Sequence, residues 1–287
     1  MRLGPSLVVL LGAGSAWGFC RTTTSLLTQP DPTQCPRAGA PIAWTLGCVE
    51  IHLDPMALPR APEPMSRELL RRVLTEATGR WAGASCGASE SARPSFQVLL
   101  GDDRRDPTGY FPDGANYNSV RFRELWPRDS FHPPDAAAVT IVTFGSASAR
   151  ILDADTELNL RSDANPGGFT FSVTGSPTAA DLPTIVLHEL GHLQGLAHSS
   201  ERSAVMWFSA GQGEQRRTLT DDDARGLCAI YPPERRVVCE PGLQAQWWSG
   251  GGLQCATGAV RGVPGWLLAL ALAALGALRR GRSNARR

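Results

Sequence analysis

Three of the five histidines of this 287-residue chain stand within eleven residues: His188-Glu189-Leu190-Gly191-His192-Leu193-Gln194-Gly195-Leu196-Ala197-His198. That spacing restricts the local fold sharply. On an α-helix four residues advance about 400°, so His188 and His192 fall on one face about 6 Å apart. Glu189 is turned about 100° from His188 and flanks that face. A further histidine six residues on would point away if the helix continued. Gly195 removes the difficulty, because glycine adopts positive φ and ends helices, so the chain can turn and return His198 to the same point. Three imidazoles suit a zinc ion, and three neutral protein ligands leave a fourth position for water, the arrangement of a catalytic rather than a closed structural site. Zinc lowers the pKa of such a water to about 7, and Glu189 stands where it can take the proton, so the segment predicts peptide-bond hydrolysis. Two other readings stand beside it. One is a structural zinc site closed by a fourth protein ligand. The other is a surface-anchored binding domain with a non-catalytic zinc site, for which the Glu189 carboxylate would have no use.

These residues carry a resemblance. HELGHLQGLAH resembles the extended metzincin motif HExxHxxGxxH, and the following Ser199 with Ala204-Val205-Met206 resembles the matrixin (matrix metalloprotease) branch. The resemblance implies Zn²⁺ on His188, His192 and His198, acid/base work by Glu189, and Met206 as the Met-turn residue packed beneath the ligands. Leu219–Tyr231 looks like the matrixin C-terminal helix, and Ser66–Trp81, with its late Trp, like the first matrixin helix. The strand Ala138–Phe144 aligns by order with the matrixin edge strand, which pairs with extended substrate. The likeness spans about residues 42–233 and implies a protein or peptide substrate. Three departures matter. Trp207-Phe208 follows Met206 where matrixins have Tyr-Pro, which puts the side-chain preference of the substrate pocket in question. The PRCGxPD cysteine switch is absent, and Cys35-Pro36-Arg37-Ala38-Gly39 holds similar residues in another order, so Cys35 reads as a disulfide partner rather than a zinc-blocking thiol. Six cysteines outside the tail exceed the usual number for a matrixin catalytic domain.

Around the motif the chain reads as α+β, a mixed sheet followed by an active-site helix ended by glycine and a C-terminal helix. Strand-like runs lie at 42–53, 96–100, 119–125, 138–144, 151–160 and 168–173. Ser66, Asp181 and Thr220 are placed to cap helices, with Pro183 tolerated in a first turn and Pro232-Pro233 stopping the last. In 151–160, Asp153, Asp155, Glu157 and Asn159 share one face of a strand. Such a face fits either Ca²⁺, which takes six to eight oxygen ligands and which matrixins hold nearby, or a solvated strand face, the preferred reading. His52 and His132 have no neighbours at ligand spacing and read as structural or exposed.

The ends read as addresses. Leu7–Leu11 followed by Ala16-Trp17-Gly18 predicts a signal peptide over 1–18, and residues 19–41 a polar, Pro-rich lead-in. After the domain at 42–233, residues 234–254 read as a linker, its Trp247-Trp248 included. Residues 255–287 join Cys255 to an apolar run, Trp266–Leu278, and an Arg cluster. The run is short for a membrane span, and the three-part tail resembles MYXO-CTERM-type bacterial sorting signals, with a permanent anchor as the alternative. The expected protein is therefore secreted or cell-surface, its tail engaging membrane or sorting machinery. Secretion permits disulfides, and six Cys allow 15 pairings; no CxxC spacing supports a Cys-based zinc ribbon or a redox site. All 28 basic residues are Arg against 27 acidic ones, and a net charge of +1 lacks the electrostatic footprint of nucleic-acid binding. A monomer is expected. No nucleophile elbow, phosphate loop or dinucleotide fingerprint supports another enzyme class.

Overall fold

The computed structural model describes residues 18–232 except 26–30, 32–33, 37, 46, 55–57, 60, 88–93, 101–107, 115 and 163–164. The expected leader up to residue 17, the linker and the C-terminal tail lie outside the described residues. Among the described residues no helix is long and apolar enough to cross a membrane.

The central sheet contains β2 (Cys48–Leu53), β3 (Ser95–Leu100), β4 (Asn118–Arg123), β5 (Ala138–Phe144) and β6 (Ile151–Asn159), in the spatial order β3-β2-β4-β6-β5. The β2–β3, β2–β4 and β4–β6 pairs are parallel, while β5 runs antiparallel to β6 and forms one edge. Strand β5 (AVTIVTF) is the β-branched run that its sequence advertises. In β2 every second side chain, Val49, Ile51 and Leu53, enters the core. The strand expected over 42–53 is shorter at its start. Ile42 and Trp44 are buried outside the ladder, with the Trp44 indole N–H donating to the Leu193 carbonyl (2.8 Å) beneath the end of the second helix.

Three helices complete the α+β fold, α1 (Arg67–Ala82), α2 (Leu182–Leu193) and α3 (Asp221–Ile230). Each begins at the cap its sequence predicts. The Ser66 hydroxyl accepts from Leu69 N–H, the Asp181 carboxylate from Thr184 N–H, and Thr220 forms a reciprocal capping box with Asp223. The buried stripe of α1, Leu70, Val73, Leu74, Ala77 and Trp81, shares one apolar core with Leu182, Val186, Leu187, Leu190 and Leu193 of α2. Two-residue strands tie down the loops: β7 (Phe171–Ser172) pairs with β8 (Ala180–Asp181), and β1 (Cys20–Arg21) with β9 (Leu196–Ala197). The lead-in thereby reaches the core domain beside the motif. Cys20 is bonded to Cys35, as the disulfide reading of Cys35 expects, and Cys86–Cys228 joins the chain after α1 to α3. Cys48 is disulfide-bonded as well.

The acidic row of β6 corrects the sequence reading. Asp153, Asp155, Glu157 and Asn159 share a face, but that face is not solvated, since none is more than 2% exposed. Loops and the neighbouring strand cover it with partners. Asp155 accepts from the backbone N–H (2.9 Å) and hydroxyl (2.6 Å) of Ser119 and from Gly109 N–H (2.5 Å). Glu157 pairs with Arg123 and with His132, which in turn meets Asp129. His132 is thus structural rather than exposed, one of the two readings its sequence allows. Asp153 lacks such company: one carboxyl oxygen has no hydrogen-bond partner, and burial beside Asp155 pushes its pKa up to about 7.

Candidate active site

Helix α2 carries His188 and His192 one turn apart and stops after Leu193, with Gln194 as C-cap. Gly195 follows at φ +100°, and a Cβ there would lie 2.6 Å from the Ile42 carbonyl oxygen, so both backbone and space demand glycine. The turn feeds β9, whose pairing with β1 fixes the chain immediately before His198. The three rings converge as the spacing predicts, with centroids 4.7 Å apart for His188–His192, 5.3 Å for His188–His198 and 4.8 Å for His192–His198. Their ligand atoms lie within 4.8 Å of one another, the one His, Cys, Asp or Glu group among the described residues able to hold a metal ion. The acidic row of β6 forms no such group.

The donor chemistry fits a cation. His188 Nδ1 lies 2.8 Å from the Val205 carbonyl and His192 Nδ1 2.9 Å from the Leu196 carbonyl. A carbonyl only accepts, so each Nδ1 carries the proton and each Nε2 presents a lone pair. Those two Nε2 atoms face each other at 3.0 Å, where neither has a proton to give the other, so a shared cation is the partner that satisfies both. Burial and the neighbouring imidazoles push His188 down to about 3 and His198 to about 2, so both rings are neutral at pH 7.

The carbonyl that orients His188 belongs to the segment carrying Met206. That segment is held from α3. The fully buried Asp223 accepts from Val205 N–H and Met206 N–H, each at 3.0 Å, and Ser199 N–H donates to the Met206 carbonyl at 2.8 Å. Met206 is 1% exposed and lies against the underside of α2 at Gly191, where a Cβ would come within 2.2 Å of its sulfur. Trp81 of α1 donates its indole N–H to the Leu187 carbonyl at 2.8 Å, one residue before His188. Asp222 links Ser199 (2.7 Å) to the backbone N–H groups of Gly18 and Phe19, each at 3.0 Å. Sequence reasoning placed Met206 but assigned no task to Asp222 or Asp223, whose acidity reads equally well as ordinary N-terminal helix chemistry.

Glu189 is 5% exposed, and burial raises its pKa, opposed by the adjacent His192 and by a hydrogen bond from Thr140. The Thr140 contact was absent from the sequence reading. The residue sits on the edge strand β5, and a threonine in a strand carries no signal of its own. A cleft of about 830 Å³ runs along β5 past Glu189 and all three histidines. Trp207, Phe208 and Ser209 also line it, and Trp207-Phe208 is the pair that departs from the matrixin pattern. The Phe208 ring stands 6.4 Å from that of His198 and 4.7 Å from that of Trp207.

Residues 128–232 match the Matrixin family of peptidases, a stretch that includes β5, the three histidines, Met206 and α3. The chain is 42% identical over 71 residues to Metalloendoproteinase 1-MMP of Arabidopsis thaliana, covering 25% of this chain and 20% of that protein. It is 41% identical over 61 residues to Metalloendoproteinase 1 of Glycine max (21% of this chain, 20% of that protein) and 38% over 58 residues to Matrilysin of Homo sapiens (20% and 22%). The matched stretches therefore span about a fifth of these relatives' length.

Proposed function

We propose that this chain is a zinc-dependent endopeptidase of matrixin type, with the metal on His188, His192 and His198 and Glu189 as the proton carrier. The convergence of three imidazoles beside a buried carboxylate in an open cleft carries the reading. Bound zinc would polarise the scissile carbonyl and acidify a water in the remaining position. The residues of the chain do the rest. The two backbone carbonyls on Nδ1 hold His188 and His192 in register. Glu189 takes the proton of the attacking water and returns it to the departing amine, and its raised pKa suits a group that must both accept and donate. The edge of β5, unpaired among the described residues, offers backbone groups to an extended peptide, which would lie along the cleft as an added strand. Treatment with a chelator should abolish cleavage of unfolded casein, and stoichiometric Zn²⁺ should restore it. Cleavage that survives complete metal removal would refute the assignment.

We further propose that the protein works outside the cytoplasm. The Cys20–Cys35 and Cys86–Cys228 bridges support an oxidising compartment. The signal-like start and the sorting-like tail read from the sequence agree with export. Terminal sequencing of the chain recovered from cells tests both: an N-terminus near residue 19 and loss or membrane retention of 255–287 are expected, and an intact cytoplasmic chain would contradict the reading.

A further inference from the structure

We propose that Thr140 is a positioning residue for Glu189. Its hydroxyl anchors one carboxylate oxygen and leaves the other free to exchange protons in the cleft. The proposal rests on Glu189 being the proton carrier, as argued above.

The β5–β6 register sets Thr140 directly opposite Thr156, and their hydroxyls meet at 2.9 Å on the sheet face that packs against α2. Thr140 Oγ1 lies 2.7 Å from Oε2 of Glu189 and 3.3 Å from the Glu189 backbone carbonyl. A threonine hydroxyl has one proton to give. The short contact to a carboxylate, which only accepts, takes that proton, so Thr140 in turn accepts from Thr156, itself 1% exposed. The order of donation is thus Thr156 to Thr140 to Glu189 Oε2. Glu189 Oε1 has no hydrogen bond among the described residues.

Two physical consequences follow. A glutamate side chain turns about several bonds, and rates of proton transfer fall steeply with misplacement of the carrier. Fixing one oxygen from a β-branched residue on a sheet, whose χ1 is itself restricted, holds the carboxylate plane without using the oxygen that must act. The anchor also sits on the strand that lines the cleft, so the element that receives the substrate also aims the proton carrier.

The test uses the full chain, oxidised and zinc-loaded, as wild type, Thr140→Val, Thr140→Ser and Glu189→Gln. The probe is a fluorogenic peptide spanning a bond that the wild type cuts in unfolded casein. Thr140→Val keeps the side-chain shape and removes the donor. It should retain one zinc per chain and a KM within about twofold, while kcat falls about 10- to 100-fold. Thr140→Ser should recover most of that loss. If Thr140→Val does not fold, Thr140→Ala is read in its place. A Thr140→Val kcat within about twofold of wild type, or a Thr140→Ser enzyme as slow as Thr140→Val, would overturn the proposal while an inactive Glu189→Gln leaves the proton-carrier reading intact. A fully active Glu189→Gln would overturn both.

Discussion

The carboxylate of Asp223, in the first turn of α3, holds the backbone of Met206 beneath the three histidines. Its two oxygens accept from Met206 N–H and Val205 N–H, each at 3.0 Å, and also from the Thr220 cap. Because the Val205 carbonyl then meets His188 Nδ1, one buried acid governs both the floor of the site and the orientation of a ligand. Replacing Asp223 by Ala strands buried donors, each costing about 1–3 kcal/mol. We expect a fall in melting temperature of about 5–15 °C and weakened zinc retention, measured by thermal denaturation and metal analysis of the dialysed protein. An unchanged melting curve would contradict this role.

Gly191 gives a second test of the floor. A Cβ there meets the Met206 sulfur at 2.2 Å and the Trp81 ring at 2.9 Å, and Trp81 is fully buried. Gly191→Ala should cost about 1–3 kcal/mol by overpacking despite the better helix propensity of Ala. Adding Met206→Ala should recover part of that loss, because the strain is shared between the two positions. Strictly additive effects in the double-mutant cycle would argue against this contact.

Gly195 should matter more for metal than for folding of the sheet. At φ +100° with the Ile42 carbonyl close by, Gly195→Ala cannot keep the turn that returns His198. Zinc affinity should fall by at least about tenfold, as expected when one of three ligands is displaced. Competition against a chromophoric chelator measures it, and wild-type affinity in the variant would show that His198 reaches the site without this turn.

Asp153 predicts the pH dependence of stability. Its folded pKa, about 7, lies above the ordinary 3.8, so the folded state holds a proton that the unfolded chain releases. The contribution is fully present below about pH 4 and is lost as pH rises through about 7. Asp153→Asn, neutral at every pH, should melt a few degrees higher than wild type at about pH 8 and show a smaller advantage at about pH 4.5. Parallel melting curves at the two pH values would contradict a raised Asp153.

What the sequence made legible was local. The clamp of His188 and His192, the stop at Gly195, the caps Ser66, Asp181 and Thr220, and the strand Ala138–Phe144 each follow from a few neighbouring residues, and each is found in the structure. The row Asp153–Asn159 shows where that reasoning ends. Period-two spacing fixes that the four side chains share a face, but not whether anything covers it. Ser119, Arg123 and His132 arrive from other strands and loops. Thr140 failed for the same reason. Its role exists only because the β5–β6 register and the packing of α2 bring it to Glu189, 49 residues away.

We propose that Glu189 performs the chemistry on a metal held by the three histidines. Wild type and Glu189→Gln, purified in parallel, would be assayed for zinc content and for cleavage of unfolded casein. One zinc per chain is expected in both, with a cleavage rate at least about a hundredfold lower in the variant, the usual contribution of a general acid–base group. Equal cleavage by the two proteins would contradict it.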